Sequence, residues 1–142
     1  QHNLLAGLPN YILRRQRERA AALFERERCD LIVTHSCPAG IGVGMRAASE
    51  HEPGMGLHVR SAGFDPGPTE DCGEVELRHL WNDLATRPRA WVFGHFHRAH
   101  QAVVGGTHFV SVDDRFDAPG RQLTIWDTEE KRLLVCPADP SA

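Results

Sequence analysis

Asp30-Leu31-Ile32-Val33-Thr34-His35 and Ala90-Trp91-Val92-Phe93-Gly94-His95-Phe96-His97 decide how this chain is read. Each opens with a short apolar run of the kind that forms a buried strand, and each then delivers histidine: His35 in the first, His95 and His97 in the second. Between them Leu77, Leu80, Trp81 and Leu84 recur at helical spacing until Arg87-Pro88 ends the pattern. Strand, helix, strand within one sheet requires a parallel pair joined by a right-handed crossover, which brings the carboxyl ends of both strands to one rim. Open α/β sheets build their ligand sites at that rim. The three imidazoles are therefore expected together, with Gly94 allowing a sharp bend before His95. Imidazole suits Zn, Mn, Fe, Co and Ni and does not suit Mg or Ca, so the grouping points to a transition metal.

Working outward, Pro9 is expected in the first turn of a helix running to about Arg28, with Ile12, Leu13, Ala20, Leu23 and Phe24 on or near its buried face. Arg14, Arg15, Arg17 and Arg19 then read as a solvated helix face. Residues 36–71 are rich in Gly and Pro and far longer than an ordinary connection, a pattern of lids, specificity loops and disordered segments. Asp71 followed by Glu74 resembles a capping box that starts the second helix. Downstream, two hairpins are expected, His100 to Val104 with Thr107 to Val112 around Gly105-Gly106, and Gln122 to Trp126 with Arg132 to Val135. The reading is of a single α/β domain over residues 1–136, in the order α-β-loop-α-β followed by β-hairpins, with a tail at 137–142.

Composition bounds the function more loosely. A chain of 142 residues buries one core, and its formal charge of -3 gives no broad footprint for nucleic acid. The four cysteines, Cys29, Cys37, Cys72 and Cys136, contain no CxxC pair, which favours free thiols in a reducing, cytoplasmic setting. No apolar run approaches the ~20 residues of a membrane span, so no membrane partner is expected.

The block from Asp30 to Gly40 (Asp-Leu-Ile-Val-Thr-His-Ser-Cys-Pro-Ala-Gly) resembles the fourth signature of the calcineurin-like metallophosphoesterases, and Trp91 to His97 resembles the fifth, Gly-His-x-His. The similarity covers roughly residues 10 to 115. It implies the carboxyl-terminal half of a layered α/β sandwich that hydrolyses phosphomonoesters or phosphodiesters with two divalent transition-metal ions, Mn, Fe, Zn or Co. In that scheme His35 and His95 ligate one ion and His97 the other, a hydroxide activated by the pair attacks phosphorus in line, and no histidine moves a proton.

The family's first three signatures, Asp-x-His, Gly-Asp and Gly-Asn-His, are absent from this sequence. In the family they precede the Thr-His block and supply a bridging carboxylate, an amide ligand and the general acid. No catalytic residue is therefore assigned in this chain; an amino-terminal half of the same domain is the expected partner, and catalysis by the chain alone is expected to be incomplete. Cys37 stands where the family commonly has proline and reads either as a small buried apolar residue or as a thiol near the metal. In the long loop Arg46, His51, His58 and Arg60 are placed to meet phosphate oxygens or solvent, without a ranking among them. His2, His79, His100 and His108 gain no role from position, and Asp113-Asp114 reads as turn chemistry. Two alternatives stand beside this reading. One is a non-catalytic truncated interaction or metal-binding module. The other is a metallo-β-lactamase-fold hydrolase, whose His-x-His-x-Asp-His motif is broken by Ala99.

Overall fold

The computed structural model describes residues 2–3, 8–9, 13–44, 73–96, 99–112 and 124–135. They form a mixed α/β arrangement: β1 (His2–Asn3), β2 (Leu8–Pro9), α1 (Arg14–Glu27), β3 (Leu31–Thr34), α2 (Val75–Asp83), β4 (Ala90–Phe93), β5 (His100–Val104), β6 (Thr107–Ser111), β7 (Thr124–Asp127) and β8 (Arg132–Val135). Three sheets result: the antiparallel pair β1-β2, the antiparallel hairpin β7-β8, and a four-stranded mixed sheet in the order β3-β4-β6-β5.

In the larger sheet β3 pairs with β4 in parallel, Leu31 opposite Ala90 through Thr34 opposite Phe93. The expected parallel pair is present. The hairpin of β5 and β6 turns at Gly105-Gly106, both at positive φ (55° and 84°), where a residue with a Cβ is disfavoured. It docks by its second strand, β6 lying parallel to β4 with Ala90 opposite His108 and Phe93 opposite Ser111. Three strands, β3, β4 and β6, consequently end at one rim.

Register sorts the side chains into two faces. Ile32, Trp91, Phe93, Phe109, Ala102 and Val104 share the face that packs against Phe24 of α1 and Leu77, Leu80, Trp81 and Leu84 of the second helix region. Trp91 stacks on Phe109 at 5.6 Å between centroids, and Trp81 meets Phe109 edge-on at 5.3 Å. Each such pair contributes about 0.5–1.5 kcal/mol beyond the area it buries. On the opposite face Val33 and Val103, in the two outer strands, are 68% and 73% exposed.

The first helix departs from its expected form in two ways. Pro9 lies in β2, opposite His2, and the helix starts only at Arg14. Leu13 at the N-cap has no side-chain acceptor; Gln16 Oε1 instead accepts from the Leu13 N–H at 2.8 Å, half of a capping box. Its inward stripe is also rotated. Ala20 and Leu23 are exposed, while Arg17, Ala21 and Phe24 turn toward α2. Arg17, expected on the solvated face, is held by Glu76 Oε2 at 3.1 Å and Asp83 Oδ2 at 3.2 Å, which compensates its charge inside the helix contact. Glu25 adds a second tie, accepting from the backbone N–H groups of Ala85 and Thr86 at 2.9 and 3.2 Å.

Helix α2 begins at Val75 with Glu74 as N-cap, so the expected capping box from Asp71 does not start it; Asp71 itself lies outside the described residues. Glu74 instead belongs to an isolated parallel bridge with Pro38, its N–H donating to the Cys37 carbonyl at 2.8 Å and its carbonyl accepting from Ala39 N–H at 3.2 Å. Gly73 permits this approach, for a Cβ there would stand 2.7 Å from both Cys37 O and Ala39 N. At the far end of the helix Arg87 lies over the Trp81 ring at 4.0 Å and donates to the Trp81 and Leu84 carbonyls.

The β7-β8 hairpin, whose expected first residues Gln122 and Leu123 lie outside the described residues, is tied to the sheet by charge. Lys131 Nζ reaches Asp30 Oδ2 at 2.8 Å and Arg89 Nε reaches Asp30 Oδ1 at 3.3 Å.

Candidate metal centre

The site is built where β3 and β4 end. The Gly94 N–H donates to the His35 carbonyl at 3.1 Å, which carries the parallel pairing one residue beyond the strands and brings the two histidine-bearing turns together. His95 Nδ1 lies 3.1 Å from His35 Nε2, with ring centroids 5.0 Å apart and planes at 78°. Both residues are exposed.

His95 adopts its position at a conformational cost. Its φ is 71°, and the Phe96 N–H donates to the Gly94 carbonyl across it at 2.8 Å, the three-residue turn that is rare because its central residue is strained. Phe96 supports this turn from below. Its ring is 8% exposed, set edge-on to Phe93 at 6.1 Å and against the His95 ring at 5.0 Å.

On the other side of the pair, Thr34 joins the turn to the core. Trp91 Nε1 donates to Thr34 Oγ1 at 2.8 Å, and that hydroxyl donates to the Ser36 carbonyl. Nothing in the sequence pattern singles out these two residues, because the link joins positions 57 apart.

Two nitrogens 3.1 Å apart suit either of two occupants. A proton fits, since an N–H of one ring then donates to the lone pair of the other. A metal ion fits as well. With metal–nitrogen bonds of about 2.0–2.1 Å, two ligands of one ion stand about 2.9 Å apart at a right angle and about 3.3 Å apart in a tetrahedron. Among the described residues no group of three or more His, Cys, Asp or Glu side chains is placed to hold an ion. His97, the third expected ligand, lies outside the described residues, as do Arg46, His51, His58 and Arg60.

Cys37 is fully buried and belongs to the hydrophobic core with Val43 and Phe24. His79 is on α2, and His108 Nε2 meets Gln101 Oε1 at 3.1 Å on the sheet face away from the helices. His100 is exposed and opposite Ser111, so β5 begins at the rim where β6 ends, a placement that follows from the hairpin and was not assigned a role from sequence.

No protein-family model matches the chain, and no curated protein matches it.

Proposed function

We propose that this chain contributes the histidine-bearing part of a metal-dependent phosphate-ester hydrolase, a metallophosphoesterase, with His35 and His95 holding one divalent transition-metal ion and His97 a second. The observation that carries the reading is the 3.1 Å separation of His35 Nε2 and His95 Nδ1, at the carboxyl rim of two parallel strands and on a strained turn. Strain of this kind persists only where the surrounding structure over-determines it, and it gathers at functional positions. Divalent ions in such a site stabilise charge on phosphoryl oxygens and make water a better nucleophile at neutral pH. The residues of this chain would do the holding: the Gly94 contact fixes the His35 backbone and the Phe96 ring backs the His95 imidazole.

The bridging carboxylate, amide ligand and general acid that the resemblance calls for have no match in these 142 residues, and in this reading an amino-terminal half supplies them. The exposed Val33 and Val103 on the sheet face opposite the helices fit a further layer packing there, as a layered sandwich has. The sparse cysteines and the absence, among the described residues, of a helix long and apolar enough to cross a membrane fit a cytoplasmic protein. A second reading is a non-catalytic metal-binding or interaction module, because the Asp-x-His, Gly-Asp and Gly-Asn-His signatures have no match in these 142 residues.

Two assays separate these readings. Co2+ titration of the chain, followed by visible absorption, should show one weakly bound ion. Hydrolysis of p-nitrophenyl phosphate and bis(p-nitrophenyl) phosphate should be near background for the chain alone and restored when the polypeptide encoded directly upstream is co-expressed. His95→Ala or His97→Ala should abolish the restored rate and His79→Ala should leave it. Absence of Co2+ binding rejects the hydrolase and the metal-binding module and leaves the interaction module; binding without restored hydrolysis selects the metal-binding module.

A further inference from the structure

We infer that Thr34 and Trp91 are positioning residues that set the orientation of His35 toward His95. The inference rests on the proposed metal reading for its purpose and on hydrogen-bond chemistry for its content. His35 is exposed and lies one residue beyond an outer strand of the four-stranded sheet, and its ring meets the His95 ring edge-on at 5.0 Å and is not part of the buried core. Its backbone is gripped from two sides. The Gly94 N–H holds the His35 carbonyl, and the Thr34 hydroxyl holds the Ser36 carbonyl, one peptide unit further on.

The direction of this chain of bonds is fixed by the groups themselves. An indole N–H can only donate and a backbone carbonyl can only accept. Thr34 Oγ1, lying between Trp91 Nε1 and Ser36 O, must therefore accept from the first and spend its own proton on the second. Trp91 is in turn immobilised, fully buried, stacked on Phe109 at 5.6 Å and tilted against Trp81 at 6.2 Å. A rigid element of the core thus reaches the turn that carries a ligand, the arrangement by which groups behind a ligand usually set its geometry. The plainer account, that a buried indole N–H needs some acceptor, explains the Trp91 bond. It leaves unexplained why the acceptor passes the bond on to the turn around His35.

The test uses Thr34→Val, which keeps the shape and removes the hydroxyl, and Thr34→Ser, which restores it. Imidazole 1H–15N spectra of the metal-free protein read His35 and His95 directly, and Co2+ affinity reads the pair as ligands. Thr34→Val should move the His35 signals and separate them from coupling to His95, and should weaken Co2+ binding by about tenfold. Thr34→Ser should return both to wild-type values. Should Thr34→Val not fold by thermal melting, Trp91→Phe cuts the same chain at its other end and is expected to act in the same direction. Unchanged imidazole signals in a folded Thr34→Val or Trp91→Phe protein overturn the inference, as does failure of Thr34→Ser to restore them. Wild-type protein that binds no Co2+ counts against the metal reading alone, because the metal-free spectra still decide the positioning.

Discussion

His95 Nδ1 stands 3.1 Å from His35 Nε2 although the two residues are 60 positions apart in the chain. A ligand that binds this pair in the folded state alone stabilises the fold by mass action, by about 2.7 kcal/mol at a free concentration of one hundred times Kd. Added Co2+ or Zn2+ should therefore raise the melting temperature, reversibly with a chelator. His35→Ala and His95→Ala should each remove the rise. The sign with pH follows from competition: only the neutral imidazole ligates, so the rise should shrink as the solution is acidified. A rise of equal size in both alanine variants would place the ion elsewhere.

His95→Gly should be more stable than His95→Ala by about 1 kcal/mol, the left-handed backbone cost of a residue with a Cβ. Both variants lose the imidazole and its contact with Phe96, so the difference isolates the backbone at φ 71°. Glycine is ordinarily the more costly of the two in ordered structure. Urea unfolding of the two variants checks the order, and alanine proving the more stable would show that the turn relaxes without strain.

The Lys131 ammonium hydrogen-bonded to Asp30, with Arg89 also close, holds the Asp30 carboxyl below the ordinary aspartate range. A depressed carboxylate contributes stability that is fully present above its unfolded pKa and is lost as pH falls through the lower folded value. The contribution is modest, about 1 kcal/mol or less for partly exposed pairs, and salt screens it. Asp30→Asn should accordingly lower the melting temperature slightly at pH 7 and less at pH 3. Equal losses at both pH values would assign the effect to packing.

Gly73→Ala should destabilise by about 1–3 kcal/mol, the range for forcing extra atoms into a packed site. The obstructing atoms are backbone, Cys37 O and Ala39 N at 2.7 Å, so no side chain can swing aside. Hydrogen exchange at the Ala39 and Glu74 amides should speed up selectively, because these two N–H groups form the bridge. Protection unchanged at both amides would mean that the bridge tolerates a Cβ.

What was legible in the sequence was whatever a short window encodes. Leu31 to Thr34 and Ala90 to Phe93 announced strands by apolar and β-branched content, Leu77, Leu80, Trp81 and Leu84 announced one helical face, and Gly105-Gly106 announced its turn. The meeting of His35 and His95 followed from connectivity alone, since a parallel pair must end at one rim. Arg17 was misread because its compensating carboxylate, Glu76, lies 59 residues away and a charge on a helix reads locally as solvated. Pro9 was misread because its fixed φ suits a first helical turn and an edge strand alike. The sharp bend expected at Gly94 has its positive φ at His95 instead, a shift the sequence does not mark because histidine does not signal a positive φ as glycine does. His97 and the loop residues lie outside the described residues and gain nothing from the comparison.

The contact of Gly73 with Cys37 and Ala39 also works as a clasp. Because Pro38 and Glu74 are bridged directly, the two ends of the intervening excursion are held side by side. The entropy of closing such an excursion grows only logarithmically, by about 0.6 kcal/mol for each doubling of its length. The number of residues between Pro38 and Glu74 therefore carries little entropic weight for the rim that holds His35 and His95. What the clasp fixes is a footing shared by the turn after β3 and the start of α2, independent of the length of chain that joins them.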